Sequence, residues 1–246
     1  MDKKFRGALL ISGEPRNSMF CFPYIYESFL QSNPDYEVDV YIHTRKPYRA
    51  TKLYNPKLIY HDLESEREIY KKTIDNLQIN SSLAKSKLTT FNEYTLNSNV
   101  FKNQILMYDG IKKCFDLSNQ QGSYDFYIRC RPDILFPDRF YLSYILHDIF
   151  TLKKYDMFIP SIHPKNLDMD DDKFAIGNFN STNQYSNILT NLEFLINTTG
   201  DLVSEKWLQL QLLSNNIKNQ KHFINLDLIR KINLETYLNN NSFYNQ

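Results

Sequence analysis

"YDFYIRCRPDILF", residues 124–136, decides how this chain is read. Its first half is the aromatic and β-branched run of a buried strand. Alternate strand residues face opposite ways, so Phe126, Ile128 and Cys130 share one face and Tyr127, Arg129 and Arg131 the other. Two arginines side by side on one face repel unless an anion or carboxylates lie between them. Pro132 cannot donate to a ladder, so pairing ends there and Asp133 stands at the strand's end. Taken alone, the pattern leaves two readings open. One is a diphosphate site, with the arginines on phosphate oxygens and Asp133 on a bridging metal; the other is an Arg–Asp cluster tying the strand to a neighbouring helix.

Outward from this strand, predicted at 123–131, apolar runs alternate with helical patterns. "GALLIS" (7–12) is a buried strand closed by the loop "GEPRN", and "SMFCFPYIYESFL" (18–30) reads as a helix with Pro23 in its first turns. "EVDVYIHT" (37–44) alternates as a strand does, and "PKLIYHD" (56–62) is a short one. Residues 63–98 are polar and predicted as surface helix plus loop, away from the core. Residues 99–117 are spaced as a helix with Asn99 as its cap. "YDMFIPS" (155–161) and "KFAIGN" (173–178) follow as strands, 183–197 and 204–216 as amphipathic helices, the second capped by Ser204, and 221–229 as a last strand. This alternation implies one α/β domain over 1–246, a mostly parallel central sheet flanked by helices.

Sheets of this kind hold ligands at the carboxyl ends of their strands, near the point where strand order reverses. The polar residues just after the strands are therefore the candidates: Ser12, Gly13 and Arg16; His43 and Thr44; Arg129, Arg131 and Asp133; and Asp172, the last acid of "LDMDDD". Arginine suits phosphate and carboxylate suits a divalent cation. The loop "ISGEPRN" offers backbone N–H groups and one arginine to an anion, though a plain turn would use the same residues. His43 reads as a hydrogen-bonded structural histidine. Glu205 stands in the first turn of its helix, where the dipole favours a carboxylate in any case. The acidic run lacks the glycine and terminal glutamate of a calcium-binding loop.

Composition narrows the classes. The chain has 246 residues, a formal net charge of +1 and six glycines. No global field steers it to nucleic acid, and glycine-rich phosphate loops are absent. Three widely separated cysteines, with no CxxC pair, suggest reduced thiols in a cytoplasmic-type compartment rather than a zinc site or disulfide framework. The apolar run near the start is too short for a signal peptide, and nothing approaches the ~20 apolar residues that span a bilayer; peripheral membrane association remains compatible. Abundant Asn, Lys, Ile and Tyr suit an AT-rich genome, bacterial or viral.

"LLISGEPRN", "DVYIHT", "YDFYIRCRPDILF", "DDKFAIGNFNSTNQYSNI" and "SEKWLQLQLL", in that order, resemble a family of nucleotide-diphospho-sugar transferase-like proteins. The family includes WavE-like capsular and lipopolysaccharide glycosyltransferases and relatives in large DNA viruses. The resemblance implies a GT-A (Rossmann-like) fold, a nucleoside-diphosphate-sugar donor, a glycan acceptor, and Mn²⁺ or Mg²⁺ on a DxD-type acid. By the same resemblance Arg16, with the Ser12–Gly13 turn, meets the nucleotide or its diphosphate, and Arg129 and Arg131 flank the phosphates. Asp133 stands where the metal-binding acid stands; Asp172, and less strongly Glu205, face sugar or acceptor. Two departures count. Arg-x-Asp replaces DxD, so arginines here could neutralise a leaving diphosphate without metal. Arg45 stands where the family has Trp. The expected activity is hexosyl transfer; the alternative is a non-catalytic nucleotide-sugar or glycan-binding module. A nucleotidyltransferase would want a glycine- and lysine-rich loop that this sequence lacks.

Overall fold

A computed structural model describes residues 4–14, 18–45, 55–86, 95–136, 141–160, 172–220 and 227–228. Among these, β1 (Phe5–Ser12), β2 (Tyr36–Thr44), β3 (Leu58–His61) and β4 (Phe126–Cys130) pair in parallel. The sheet continues through β7 (Phe174–Gly177), β6 (Met157–Phe158) and β8 (Asn219–Gln220), giving seven strands in the order β3-β2-β1-β4-β7-β6-β8. Only β7 opposes its neighbours: it runs antiparallel to β4 and β6, while β6 and β8 are parallel. The start of β7 lies at the same sheet edge as the ends of β1, β2 and β4, which brings Asp172 to the arginines. Lys173 O accepts from Arg131 N at 3.2 Å there.

The sheet is covered on both faces, as its near-continuous apolar strands require. Leu9, Ile11, Val40, Ile42, Ile128 and Ile176 pack against Cys21, Ile25 and Phe29 of the segment containing α1 (Ser18–Tyr26), and against Leu142 and Leu146 of α4 (Leu142–Leu146). On the other face lie α3 (Thr95–Gln121), α5 (Phe179–Ser186), α6 (Leu192–Thr199) and α7 (Ser204–Ser214). There Ala8, Leu10 and Tyr127 meet Cys114 and Phe115, and Ala175 meets a core that includes Tyr108, Tyr185, Leu192 and Trp207. Trp207 fixes α7 beside α3. It is fully buried, sits edge-on to Phe101 at 5.7 Å, and donates Nε1–H to Asp201 O at 2.9 Å.

Several boundaries differ from the sequence expectation. The helix expected from Asn99 already begins at Thr95. The strand at 155–161 shrinks to Met157–Phe158. The helix at 183–197 is broken into α5, a 3₁₀ turn at Ile188–Asn191, and α6. At the break, Asn187 Nδ2 donates to Asn183 O and Oδ1, both at 2.8 Å, so a side chain competes with the backbone ladder. The polar stretch after residue 62 contains α2 (Glu66–Asp75), started by a Ser65/Glu68 capping box, yet its Ile69 and the nearby Ala84 are buried in the core. Ser204 does not cap α7: Val203 holds that position, and Ser204 turns its hydroxyl elsewhere. Of the strand expected at 221–229, Asp227–Leu228 is described as β9. It pairs with β5 (Ile134–Leu135) in a separate two-stranded sheet; the rest lies outside the described residues.

Candidate functional site

A cleft runs along the edge where β1, β2 and β4 end and β7 begins. One part, of about 90 Å³, is lined by residues including Gly13, Thr44, Arg45, Asn103, Arg129 and Arg131. The adjoining part, of about 270 Å³, is lined by residues including Asn103, Met107, Arg131, Asp172, Ser204 and Glu205. Asn103, Met107 and Arg131 border both, so the two form a single groove on the scale of a small-ligand site, roughly 300 Å³ upward. A larger hollow of about 520 Å³ lies where β1 and β2 start, lined by residues including Phe5, Tyr36, Tyr144 and Phe150; it has no arginine or carboxylate. The arginines and carboxylates gather at the first edge.

Gly13 takes φ +138°, a conformation L side chains rarely adopt, and a Cβ there would meet Pro132 Cδ at 3.3 Å. Thus the loop after β1 closes directly onto the turn after β4. Ser12, the last residue of β1, is buried and its hydroxyl has no hydrogen-bond partner among the described residues. Arg16 lies outside them.

Arg129 forms the floor of the groove. It is 1% exposed, and its Nη1 donates to Cys130 O. Its Nε and Nη2 are buried without a hydrogen-bond partner among the described residues. Burial pulls this guanidinium's pKa down, and nearby Arg131 pulls it further. Arg131 is held differently: its Nε and Nη2 grip the two oxygens of Asp133 at 2.8 and 3.0 Å. Asp133 is fully buried and borders neither part of the groove. Arg131 is thus salt-bridged to Asp133 within the turn after β4, while Arg129 faces no such partner among the described residues.

Opposite the arginines, Asp172 and Glu205 meet at Ser204. The hydroxyl of Ser204 is 2.8 Å from Asp172 Oδ2 and 3.0 Å from Glu205 Oε2, and its single proton serves one carboxylate at a time. The Gln104 amide meets this hydroxyl at 3.2 Å and, oriented to satisfy both its ends, donates to Leu202 O at 2.9 Å. Tyr108 hydroxyl reaches Ser204 O at 3.4 Å; burial, reinforced by Asp172, holds this phenol well above its usual pKa. Sequence reasoning missed Asn103, Gln104, Met107 and Ser204, because a helix interior and a presumed cap give no sign of facing a groove.

His43 lines the first part of the groove but is tied up by its neighbours. It is stacked on Tyr60, with Nε2 3.3 Å from Asp62 Oδ2. Burial first, and then Arg45, lowers its pKa to about 4, so it is neutral at pH 7. His43, Asp62 and Asp109 each offer a ligand atom within 4.8 Å of the others, the spacing of a cation site. Two cations of the protein already serve these carboxylates. Lys113 Nζ is 2.7 Å from Asp62 and 3.1 Å from Asp109, and Arg45 Nη2 is 2.5 Å from Asp109. The cysteines contribute no nucleophile: Cys21, Cys114 and Cys130 are free and buried, and burial pushes the first two thiols up to about 12.

No family model matches the chain, and no curated protein does. Solved structures do. Core-mannan synthase A from Aspergillus fumigatus, in its Mn/GDP form, is similar over 91% of this chain and 74% of its own, with TM-score 0.50 and 12% identity. A nucleoside-diphosphate-sugar pyrophosphorylase from Vibrio cholerae covers 94% and 98%, with TM-score 0.46 and 8% identity. The first match establishes a GT-A glycosyltransferase fold. Among the described residues no helix is long and apolar enough to cross a membrane.

Proposed function

We propose that this chain is a glycosyltransferase that moves a hexosyl group from a nucleoside-diphosphate sugar to a hydroxyl of a glycan acceptor. The observation carrying this reading is Arg129, a buried guanidinium on the groove floor with two N–H-bearing nitrogens unpartnered among the described residues. A buried unpaired cation costs several kcal/mol, an expense a fold tolerates where an anion completes the pairing. Arg131 adjoins it, and a pair of guanidinium forks suits the oxygens of a diphosphate.

In this reading the bond from anomeric carbon to diphosphate oxygen breaks and its electron pair leaves on the nucleoside diphosphate, where the two arginines stabilise it. The acceptor oxygen forms the new bond to the same carbon. In an inverting course its proton passes to Asp172, with Glu205 and the Ser204 hydroxyl beside it. Gly13 forms part of the groove wall beside the diphosphate, with Arg16 assigned to the nucleotide by sequence.

Calorimetry with UDP and GDP, followed by donor-turnover assays, tests the reading. Asp172→Asn should keep nucleotide affinity and lose about 10²- to 10⁴-fold in transfer rate, the range of a general base. If neither nucleotide binds, the reading falls. Nucleotide binding without turnover of any donor across a range of acceptors would instead identify a binding module on the same fold. The seating of both carboxylates on one hydroxyl is the observation that keeps this second reading in play.

A further inference from the structure

The fold neighbour was solved with manganese, and three sets of oxygen donors here invite comparison with a metal site. Among the described residues, none of these three sets suits a divalent cation. Asp133, where the strand-end acid stands, has both oxygens on Arg131 and lies outside the groove lining. A cation at Asp133 would have to displace a bidentate guanidinium from a fully buried carboxylate. At His43, Asp62 and Asp109 the carboxylates face Lys113 and Arg45, whose positive charges repel a third. Asp172 and Glu205 converge on the Ser204 hydroxyl, which occupies the point they share and is itself buried.

Positive charge facing the groove comes from guanidinium groups instead. Arg129 is unpaired among the described residues, and Arg131 is immobilised with one edge against Asp133. An arginine held on one edge by a carboxylate loses little rotamer freedom when an anion arrives, and its planar fork keeps a fixed direction. We infer that this protein meets the leaving diphosphate with Arg129 and Arg131 and not with a divalent cation, and that Asp133 is the residue that positions Arg131. The inference rests on the nucleotide-sugar reading above. It removes Asp133 from metal binding and gives it a role through its neighbour.

The test is isothermal titration of the full chain with UDP and GDP, once in EDTA and once in excess Mn²⁺, together with an electron-spin-resonance titration of Mn²⁺ into the protein alone. Equal nucleotide affinity in both buffers, with no tight Mn²⁺ site, is the expected result. Affinity that appears only with Mn²⁺ overturns the inference while leaving the nucleotide-sugar reading intact. Binding in neither buffer brings down both. Asp133→Asn should weaken nucleotide binding by the same factor in EDTA and in Mn²⁺; selective loss of a Mn²⁺-dependent part would make Asp133 a ligand after all. Should that variant fail to fold, Arg131→Lys serves, because it keeps the charge, gives up the fork, and is expected to bind more weakly with no response to metal.

Discussion

Arg129 carries a charge that folding alone would not choose. At 1% exposure it has one hydrogen bond, to Cys130 O, and two nitrogens with no partner among the described residues. Replacing a buried unpaired charge by an apolar side chain of similar reach is often stabilising. Arg129→Met should therefore raise the melting temperature of the free protein. It should also weaken UDP or GDP binding by about 10- to 100-fold, the loss expected for a charge-assisted hydrogen bond worth ~1.5–3 kcal/mol. The opposite signs are what make the experiment informative. A purely structural arginine would lose stability when replaced, and a melting temperature that falls while nucleotide affinity stays unchanged would remove Arg129 from the site.

Helix α3 shows how an element is fitted to that edge. It crosses β1 and β2 and carries Gly110 in its interior, where glycine costs about 1 kcal/mol relative to alanine. The reason is contact: a Cβ at Gly110 would lie 2.9 Å from His43 Nδ1 and 3.6 Å from Ser12 Cβ. His43 cannot easily yield, being buried, stacked on Tyr60 and bonded to Asp62. Gly110→Ala should thus lower stability despite its gain in helix propensity, as read from urea unfolding midpoints; a stabilised variant would show that α3 can lift off the sheet without cost. The helical spacing of residues 99–117 was plain in the sequence, but the glycine's purpose was not, since it depends on a side chain from a strand distant in the chain. The same holds for Ser204. Its place before a helical run reads as a cap, and only the antiparallel return of β7, which brings Asp172 alongside, turns its hydroxyl into the groove.

At the scale of the molecule, the alternation of apolar runs was enough to give a mostly parallel sheet with helices on both faces, because burial on two sides leaves a continuous apolar signature. The sheet edge also followed, and with it the gathering of Gly13, Arg129, Arg131, Asp172 and Glu205 along one groove. Sequence did not reveal which arginine takes the aspartate: spacing alone leaves Arg129 and Arg131 equivalent, and the turn at Pro132 decides for Arg131. The network of His43, Asp62, Asp109, Lys113 and Arg45 was equally hidden, as it draws on β2, α3 and the loop after β3. That network sets an acid limit for the whole fold. With its folded pKa near 4 against an ordinary 6.5, His43 stays neutral in the folded chain while the unfolded chain takes up a proton. Stability is therefore greatest above pH 6.5, declines as pH falls toward 4, and loses on the order of 3 kcal/mol across that window at ~1.36 kcal/mol per pKa difference. Asp62 belongs to a lower window. Burial opposes its ionisation, but hydrogen bonding to Lys113 and the charge there outweigh this and hold its pKa below the usual value, so its contribution is lost only under stronger acid. Urea unfolding at intervals from pH 7 to 4.5, on the wild type and on His43→Gln, separates the two. The glutamine variant should be less sensitive to pH over this range, because it has no proton to take up at that position; an unchanged slope would mean that His43 does not set the acid limit.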